Sequence, residues 1–152
     1  MSQNNMPEVK MFKDEWSGFS NFTPVVIYYE GLKYPSVEHA FVAAKTLNLD
    51  FRKKISELAP TKAGLAKSLG RKCLLRLDWD NIKVATMSYF LKQKFSYDKF
   101  KTLLLSTGDM KITEGNYWHD NFWGDCYCKK CENVPGENIL GKLLMKIRED
   151  IQ

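Results

Sequence analysis

The sequence predicts a mainly helical α+β fold: one compact domain over residues 1–152, with about six helices, a small β-hairpin and short strands. Three observations predict it. Apolar residues recur every three or four positions through most of the chain, which is the period of an amphipathic helix. One early segment differs, because Val25-Val26-Ile27-Tyr28-Tyr29 and Leu32-Lys33-Tyr34 flank Glu30-Gly31, a tight-turn pair between two strand-like runs. Finally, 152 residues at 44% hydrophobic and 27% charged have the size and balance of one globular domain, able to bury a core without disulfides or a metal.

The elements follow in order. Residues 1–8 are expected to be flexible, Val9-Lys10-Met11-Phe12 reads as a short strand, and Trp16-Ser17-Gly18-Phe19-Ser20-Asn21-Phe22 as a loop whose aromatics either wall a pocket or cap a core. After the hairpin, Ser36 is the N-cap of an amphipathic helix reaching about residue 48, apolar at 37, 40, 41, 44 and 47. Asp50 caps a short second helix with Phe51, Ile55 and Leu58 inward, and Pro60-Thr61 restarts a third that Gly70 ends. Asp78 caps the longest helix, 79 to about 95. Its Ile82, Ala85, Met87, Tyr89, Phe90 and Leu91 cover so much of the circumference that it is expected at the centre. A helix over 96–105 closes at Thr107-Gly108, residues 111–114 are extended, and the last helix begins at Glu137 or Asn138 with Ile139, Leu140, Leu143, Leu144 and Ile147 inward. Residues 115–137 show no period. A stretch that long in a compact domain marks function or disorder, and its aromatic content argues against disorder.

Charge and cysteine usage narrow the function classes. A net charge of +5 from 23 Lys and Arg against 18 Asp and Glu tilts the chain toward anionic partners without forming a single basic block, although Arg71-Lys72, Arg76 and Lys83 cluster at one corner. No apolar run is long enough to span a bilayer, and Met1-Ser2-Gln3-Asn4-Asn5 lacks the plan of a signal peptide, so a cytoplasmic protein without a membrane partner is expected. The four cysteines are then expected to be reduced, with three packed into Cys126-Tyr127-Cys128-Lys129-Lys130-Cys131.

Two stretches carry chemistry. Glu38 falls in the first turn after Ser36, where free backbone N–H groups and the helix dipole favour a carboxylate. Lys45, seven residues on, returns to the same stripe about 10 Å along the axis, too far for an ion pair but within reach of one shared molecule. Trp118-His119-Asp120-Asn121-Phe122-Trp123-Gly124-Asp125 offers carboxylates, an imidazole and aromatic faces; taken alone it reads first as a surface loop with acidic turn residues, and the chemical reading needs a second loop to meet it. Together with Gly18-Phe19-Ser20-Asn21-Phe22, Gly70-Arg71, Lys94-Phe95 and Asn138-Ile139-Leu140-Gly141-Lys142, in this order and spacing, these stretches resemble the YbiA-like, or NADAR, superfamily over roughly residues 9–151.

The resemblance implies the family's fold and a metal-independent N-glycosidase, which splits a ribose anomeric carbon from the nitrogen of a base. The implied substrates are phosphoribosylamino-pyrimidine intermediates of riboflavin synthesis or, in a sister version, ADP-ribosyl-guanine in DNA. Carried over position by position, Glu38, Asp125 and Trp123 become the catalytic set. Lys45, Arg71, Asn138, Gly124, Phe19 and Asn21 become substrate-binding residues, with Lys45, Arg71 and Asn138 as the phosphate donors. The valine in Ser36-Val37-Glu38-His39 shifts the cap by one residue relative to the enteric pattern and leaves the glutamate in register. Cleavage of this kind builds oxocarbenium charge on the sugar, so a carboxylate beside the anomeric carbon both stabilises it and aligns water, while Trp123 stacks on the base. The cysteines depart from the family's glycine-rich loop. No cofactor is required, but Cys126, Cys128 and Cys131 leave a structural zinc open, with His119 or Cys73 as the fourth ligand. Two other classes stay open: a non-catalytic module for a nucleotide, ADP-ribose or nucleic acid, and a small zinc-stabilised interaction domain.

Overall fold

A computed structural model describes residues 7–152. Most of the expected flexible start, residues 1–6, lies outside the described residues, and Glu8 already pairs in a strand. The described chain forms six α-helices and six short strands in three two-stranded ladders, the α+β class the sequence predicts. It divides into two compact units, one from Asn21–Tyr97 and the other from the described residues up to Ser20 with Asp98–Gln152. None of its helices, among the described residues, is long and apolar enough to cross a membrane.

In the 21–97 unit, strands β2 (Pro24–Tyr29) and β3 (Leu32–Ser36) pair antiparallel, with Ile27 opposite Tyr34 and Tyr29 opposite Leu32. Glu30 and Gly31 make the turn with φ of 45° and 86°, the left-handed pair that a two-residue hairpin loop demands. Four helices follow: α1 (Val37–Ala44), α2 (Leu49–Ser56), α3 (Ala63–Gly70) and α4 (Trp79–Lys94). The central helix is α1, not the long α4 the sequence suggested. Val37, Ala40, Phe41, Val42, Ala43 and Ala44 are all buried, and α1 touches the hairpin, α2, α3 and α4. Its alanines let neighbours approach closely, and Gly70 ends α3 where a Cβ would stand 3.0 Å from both Val42 methyls. On α4 only one stripe, Trp79, Met87, Phe90, Leu91 and Lys94, is buried, while Ala85 and Tyr89 face outward.

Two helix starts differ from expectation. Asn48, rather than Asp50, caps α2, its Oδ1 accepting from Phe51 N at 3.0 Å. Asp78 precedes α4 but makes no side-chain cap bond, because Arg76 two residues earlier takes both its carboxylate oxygens at 2.6 and 3.2 Å. That pair holds the Asp78 carboxyl below its ordinary range.

Arg52 on α2 ties the unit together from inside. It is buried, its Nε donates to the carbonyls of Ala43 and Thr46 at 3.2 and 2.9 Å, and its Nη1 meets Glu30 at 2.6 Å. A cation thus sits on the carbonyl end of α1, where the helix dipole favours it. Arg52→Met keeps the stem and strips these carbonyls of their donor. The unfolding free energy from urea titration should fall by about 2 kcal/mol, seen as a lower midpoint at an unchanged m-value.

The other unit is built on parallel pairs. Strand β1 (Glu8–Val9) lies along β4 (Lys111–Ile112), and β5 (Gly115–Asn116) along β6 (Asp125–Cys126). Helices α5 (Asp98–Ser106) and α6 (Ile139–Ile151) close a core of Val9, Phe19, Phe100, Leu104, Ile112, Leu140, Leu144 and Ile147. Arg148 on α6, also buried, donates to Thr107 Oγ1 and the Met110 carbonyl, both at 2.8 Å, which fixes the turn after α5.

Candidate functional site

The hairpin delivers the chain directly into the first turn of α1, and the sequence Ser36-Val37-Glu38-His39 does three jobs there. Ser36 Oγ accepts from His39 N at 3.1 Å, the N-cap bond the sequence predicts. The same hydroxyl lies 2.6 Å from His39 Nδ1, and His39 Nε2 lies 3.2 Å from the Ala59 carbonyl. A carbonyl only accepts, so the proton is on Nε2 and the Ser36 hydroxyl donates to Nδ1. Burial pushes the imidazole below its ordinary pKa, with the Ala59 bond working the other way. Serine and histidine are both fully buried, which makes them a clamp on the helix start rather than a nucleophile pair.

That clamp presents Glu38, which is half-buried and whose backbone N–H donates to the Asn21 carbonyl at 3.0 Å. Asn21 is therefore joined to Glu38 through the main chain. Its amide nitrogen points at Met87 Sδ on α4 at 3.7 Å, and its Oδ1 is buried with no hydrogen-bond partner. A buried acceptor without a donor costs about 1–3 kcal/mol, so it is the kind of atom a ligand's N–H or O–H satisfies. Lys45 ends α1 with its ammonium 5.8 Å from the Phe41 ring, and Arg71 stands exposed just past α3. Glu38, Asn21, Lys45 and Arg71 all belong to this unit.

The Lys94-Phe95 pair of the family pattern also lies in this unit. Lys94, in the last turn of α4, is fully buried on the stripe that carries Met87 two turns earlier. Burial lowers its pKa to about 7. A lysine on an otherwise apolar stripe, after Met87, Phe90 and Leu91, was the sequence signal.

The remaining site residues lie in the other unit. Asp120 Oδ1 accepts from the backbone of Phe122 and Trp123 at 3.1 and 2.9 Å, so the acidic turn sets the bend before Trp123. Trp123 is half-buried, with its ring edge-on to Phe122 at 4.9 Å. Asp125 opens β6, accepts from Gly136 N at 3.0 Å and lines an open hollow of about 580 Å³ together with Tyr127, Cys128 and Val134. Burial, reinforced by the Asp125 charge, raises Tyr127 to about 12, so its hydroxyl stays protonated and donates to the Lys10 carbonyl at 3.0 Å.

The organiser of this loop, Asn116, is fully buried and escaped the sequence reading. Its Nδ2 donates to the Asp120 carbonyl and Glu114 Oε2 at 2.9 and 3.1 Å, and its Oδ1 accepts from Trp118 N and Asp120 N, both at 3.2 Å.

Three expected substrate-binding residues have other occupations. Phe19 is fully buried between Trp16, stacked at 5.9 Å, and Phe12 at 5.6 Å, so it caps a core. Asn138 precedes α6 in a left-handed conformation, φ 51°, that turns its side chain inward. There its Oδ1 accepts from Glu114 N at 3.0 Å and its Nδ2 donates to Ile112 O at 2.9 Å, so the amide ties α6 to the segment at 111–114. Gly124 is buried, and a Cβ would run into the Glu114 carboxylate and carbonyl and stand 2.9 Å from the Asn116 amide. It is glycine because nothing larger fits. Gly124→Ala should destabilise the chain by about 3 kcal/mol in urea unfolding.

His119, Cys126, Cys128 and Cys131 gather as one group of potential metal ligands. Cys73 does not join them; it lies in the 21–97 unit with its thiol on the Gly70 carbonyl at 3.3 Å.

Comparison with known proteins accords with this layout. The NADAR domain matches residues 9–152. The N-glycosidase YbiA of Shigella boydii is 32% identical over 143 residues, spanning 91% of this chain and 83% of that protein. A riboflavin biosynthesis protein of Vibrio vulnificus is 32% identical over 145 residues, which is 91% of this chain but 37% of that longer protein. The NMR structure of the E. coli protein YbiA superposes with a TM-score of 0.78 at 31% identity, covering 95% of this chain and 83% of that one. The chain belongs to the NADAR domain family.

Proposed function

We infer that this chain is a hydrolase of N-glycosyl bonds, and we propose a phosphoribosylamino-pyrimidine as its substrate. The observation that carries the chemistry is the helix start at Glu38. A buried serine–histidine clamp fixes its turn, and the neighbouring Asn21 offers an unpartnered acceptor. In the reaction, water adds to the ribose anomeric carbon as the carbon–nitrogen bond breaks, leaving ribose 5-phosphate and the free aminopyrimidine. One water proton ends on the leaving nitrogen. Glu38 aligns and deprotonates the water and stabilises the oxocarbenium charge, and Asn21 Oδ1 takes a sugar hydroxyl.

Lys45 and Arg71 supply the cations for the phosphate. The family resemblance assigns base stacking to Trp123 and the second carboxylate to Asp125, both carried by the other unit. The riboflavin assignment is supported by the name of the Vibrio relative.

The test is to incubate the full chain with a phosphoribosylamino-pyrimidine and, separately, with an oligonucleotide carrying ADP-ribosyl-guanine, reading products by mass spectrometry. Ribose 5-phosphate release that Glu38→Gln abolishes is the expected result. Release of ADP-ribose alone moves the substrate to DNA, and no product above the Glu38→Gln background removes the catalytic assignment.

A further inference from the structure

Four ligand-type side chains meet beside the loop that bears Trp123, and the N-glycosidase chemistry uses none of them. His119 Nδ1 lies 3.3 Å from Cys128 Sγ, 3.4 Å from Cys131 Sγ and 3.9 Å from Cys126 Sγ, and all four ligand atoms lie within 4.8 Å of one another. We propose that these residues bind one zinc ion as a closed Cys3His centre. A tetrahedral zinc with a metal–nitrogen bond of about 2.1 Å and metal–sulfur bonds of about 2.3 Å holds nitrogen and sulfur about 3.6 Å apart. The three nitrogen–sulfur distances straddle that value.

Hydrogen bonding at the imidazole does not account for three sulfurs gathered around one nitrogen. Nδ1 carries one proton or one lone pair, so it satisfies one thiol and not three. A cation at the centre satisfies all four groups at once. Thiolate and imidazole donors select zinc over magnesium or calcium, and each thiol gives its proton to solvent on ligation. Three thiolates around a divalent ion leave one net negative charge. It is offset by Lys129 and Lys130 between the ligands and by the Cys128 amide, which donates to Cys126 Sγ at 3.5 Å.

The ligands also explain a local conformation. His119 has φ 69°, a left-handed backbone that a residue with a Cβ seldom adopts without something holding it. His119 and Cys126 bracket residues 120–125, so the ion fastens both ends of the segment that presents Trp123 and Asp125. With four protein ligands no position is left for water or substrate, which makes the centre structural and leaves the hydrolysis to side chains.

The experiment uses the full chain, purified without chelator or a metal-affinity step. Metal analysis should give one zinc per chain. Chelation should lower Tm by about 10 °C or more, reversed by added zinc. Cobalt titrated into the stripped protein should saturate at one equivalent, with the visible bands of tetrahedral cobalt and a near-ultraviolet thiolate charge-transfer band. Cys128→Ser should weaken zinc binding at least tenfold, whereas Cys73→Ser should not change it. Should Cys128→Ser fail to fold, the cobalt spectrum of the unaltered chain decides. Substoichiometric zinc with no Tm response to added zinc, or a cobalt spectrum without thiolate charge transfer, overturns the proposal.

Discussion

Replacing Glu38 by glutamine should lower kcat by about 10²- to 10⁴-fold while moving Tm by no more than a few degrees. The size follows from what is removed. Glutamine keeps the shape of the side chain but gives up the charge and the base that the proposed mechanism assigns to Glu38. The helix start itself should hold, because the Ser36–His39 clamp and the backbone bond from residue 38 to the Asn21 carbonyl do not involve the carboxylate. Loss of the favourable charge at the helix start costs about 0.5 kcal/mol. KM should stay within a few-fold of wild type, since the interaction removed is one that grows toward the transition state. A kcat within tenfold of wild type would strip Glu38 of its assigned part.

The comparable change at the other acidic position is informative for its contrast. Asp125→Asn still presents an oxygen to the Gly136 amide, so the loop should hold and any fall in kcat reports the lost charge rather than a collapsed bend.

What the sequence made legible is what depends on neighbours within one or two turns. The Ser36 cap, the Glu30-Gly31 hairpin turn and the end of α3 at Gly70 are local events, and each stands where the spacing put it. Asp78 marks the limit of that logic, since a competing guanidinium two residues away claimed the carboxylate that a cap would have used. The central helix was misjudged for a related reason. Apolar residues around α4 suggested burial all round, but burial is decided by what else packs there. The small side chains of α1 admit four neighbours, and α4 has one buried stripe.

The site divides in the same way. Glu38 and Asn21 are linked by a single main-chain bond that no sequence pattern announces, and the buried Asn116 looked like any polar loop residue. Asn138 stood at a helix start, where anions are usually welcome. A left-handed φ turned its amide toward Ile112 and Glu114 instead. The cysteine spacing supplied three ligands, but only folding could choose His119 over Cys73 as the fourth. In each case the deciding contact spans more residues than a local pattern can see.

Lys94→Met should make the protein more stable and less active. Burial holds this lysine's pKa at about 7, well below the ordinary 10.5, so the folded chain resists a proton that the unfolded chain holds tightly. Between pH 7 and pH 10.5 the unfolded state binds more protons, and stability therefore rises with pH across that window; below pH 7 the full penalty is present. Methionine fills much of the same volume without a charge, so the variant should gain on the order of a few kcal/mol at pH 6. The gain should shrink as pH approaches 10.5.

Lys94 shares the buried α4 stripe of Met87, Phe90 and Leu91, in the unit that carries Glu38. Under the proposed mechanism Glu38 is the base and the proton donor is unassigned, and an amine that titrates near neutrality is of the kind that fills such a role. Loss of kcat by about 10²-fold or more in Lys94→Met, together with a higher Tm at pH 6, would mark a residue retained for chemistry at the expense of stability. Unchanged kcat, or a Tm lower than wild type at pH 6, would make Lys94 an ordinary part of the core.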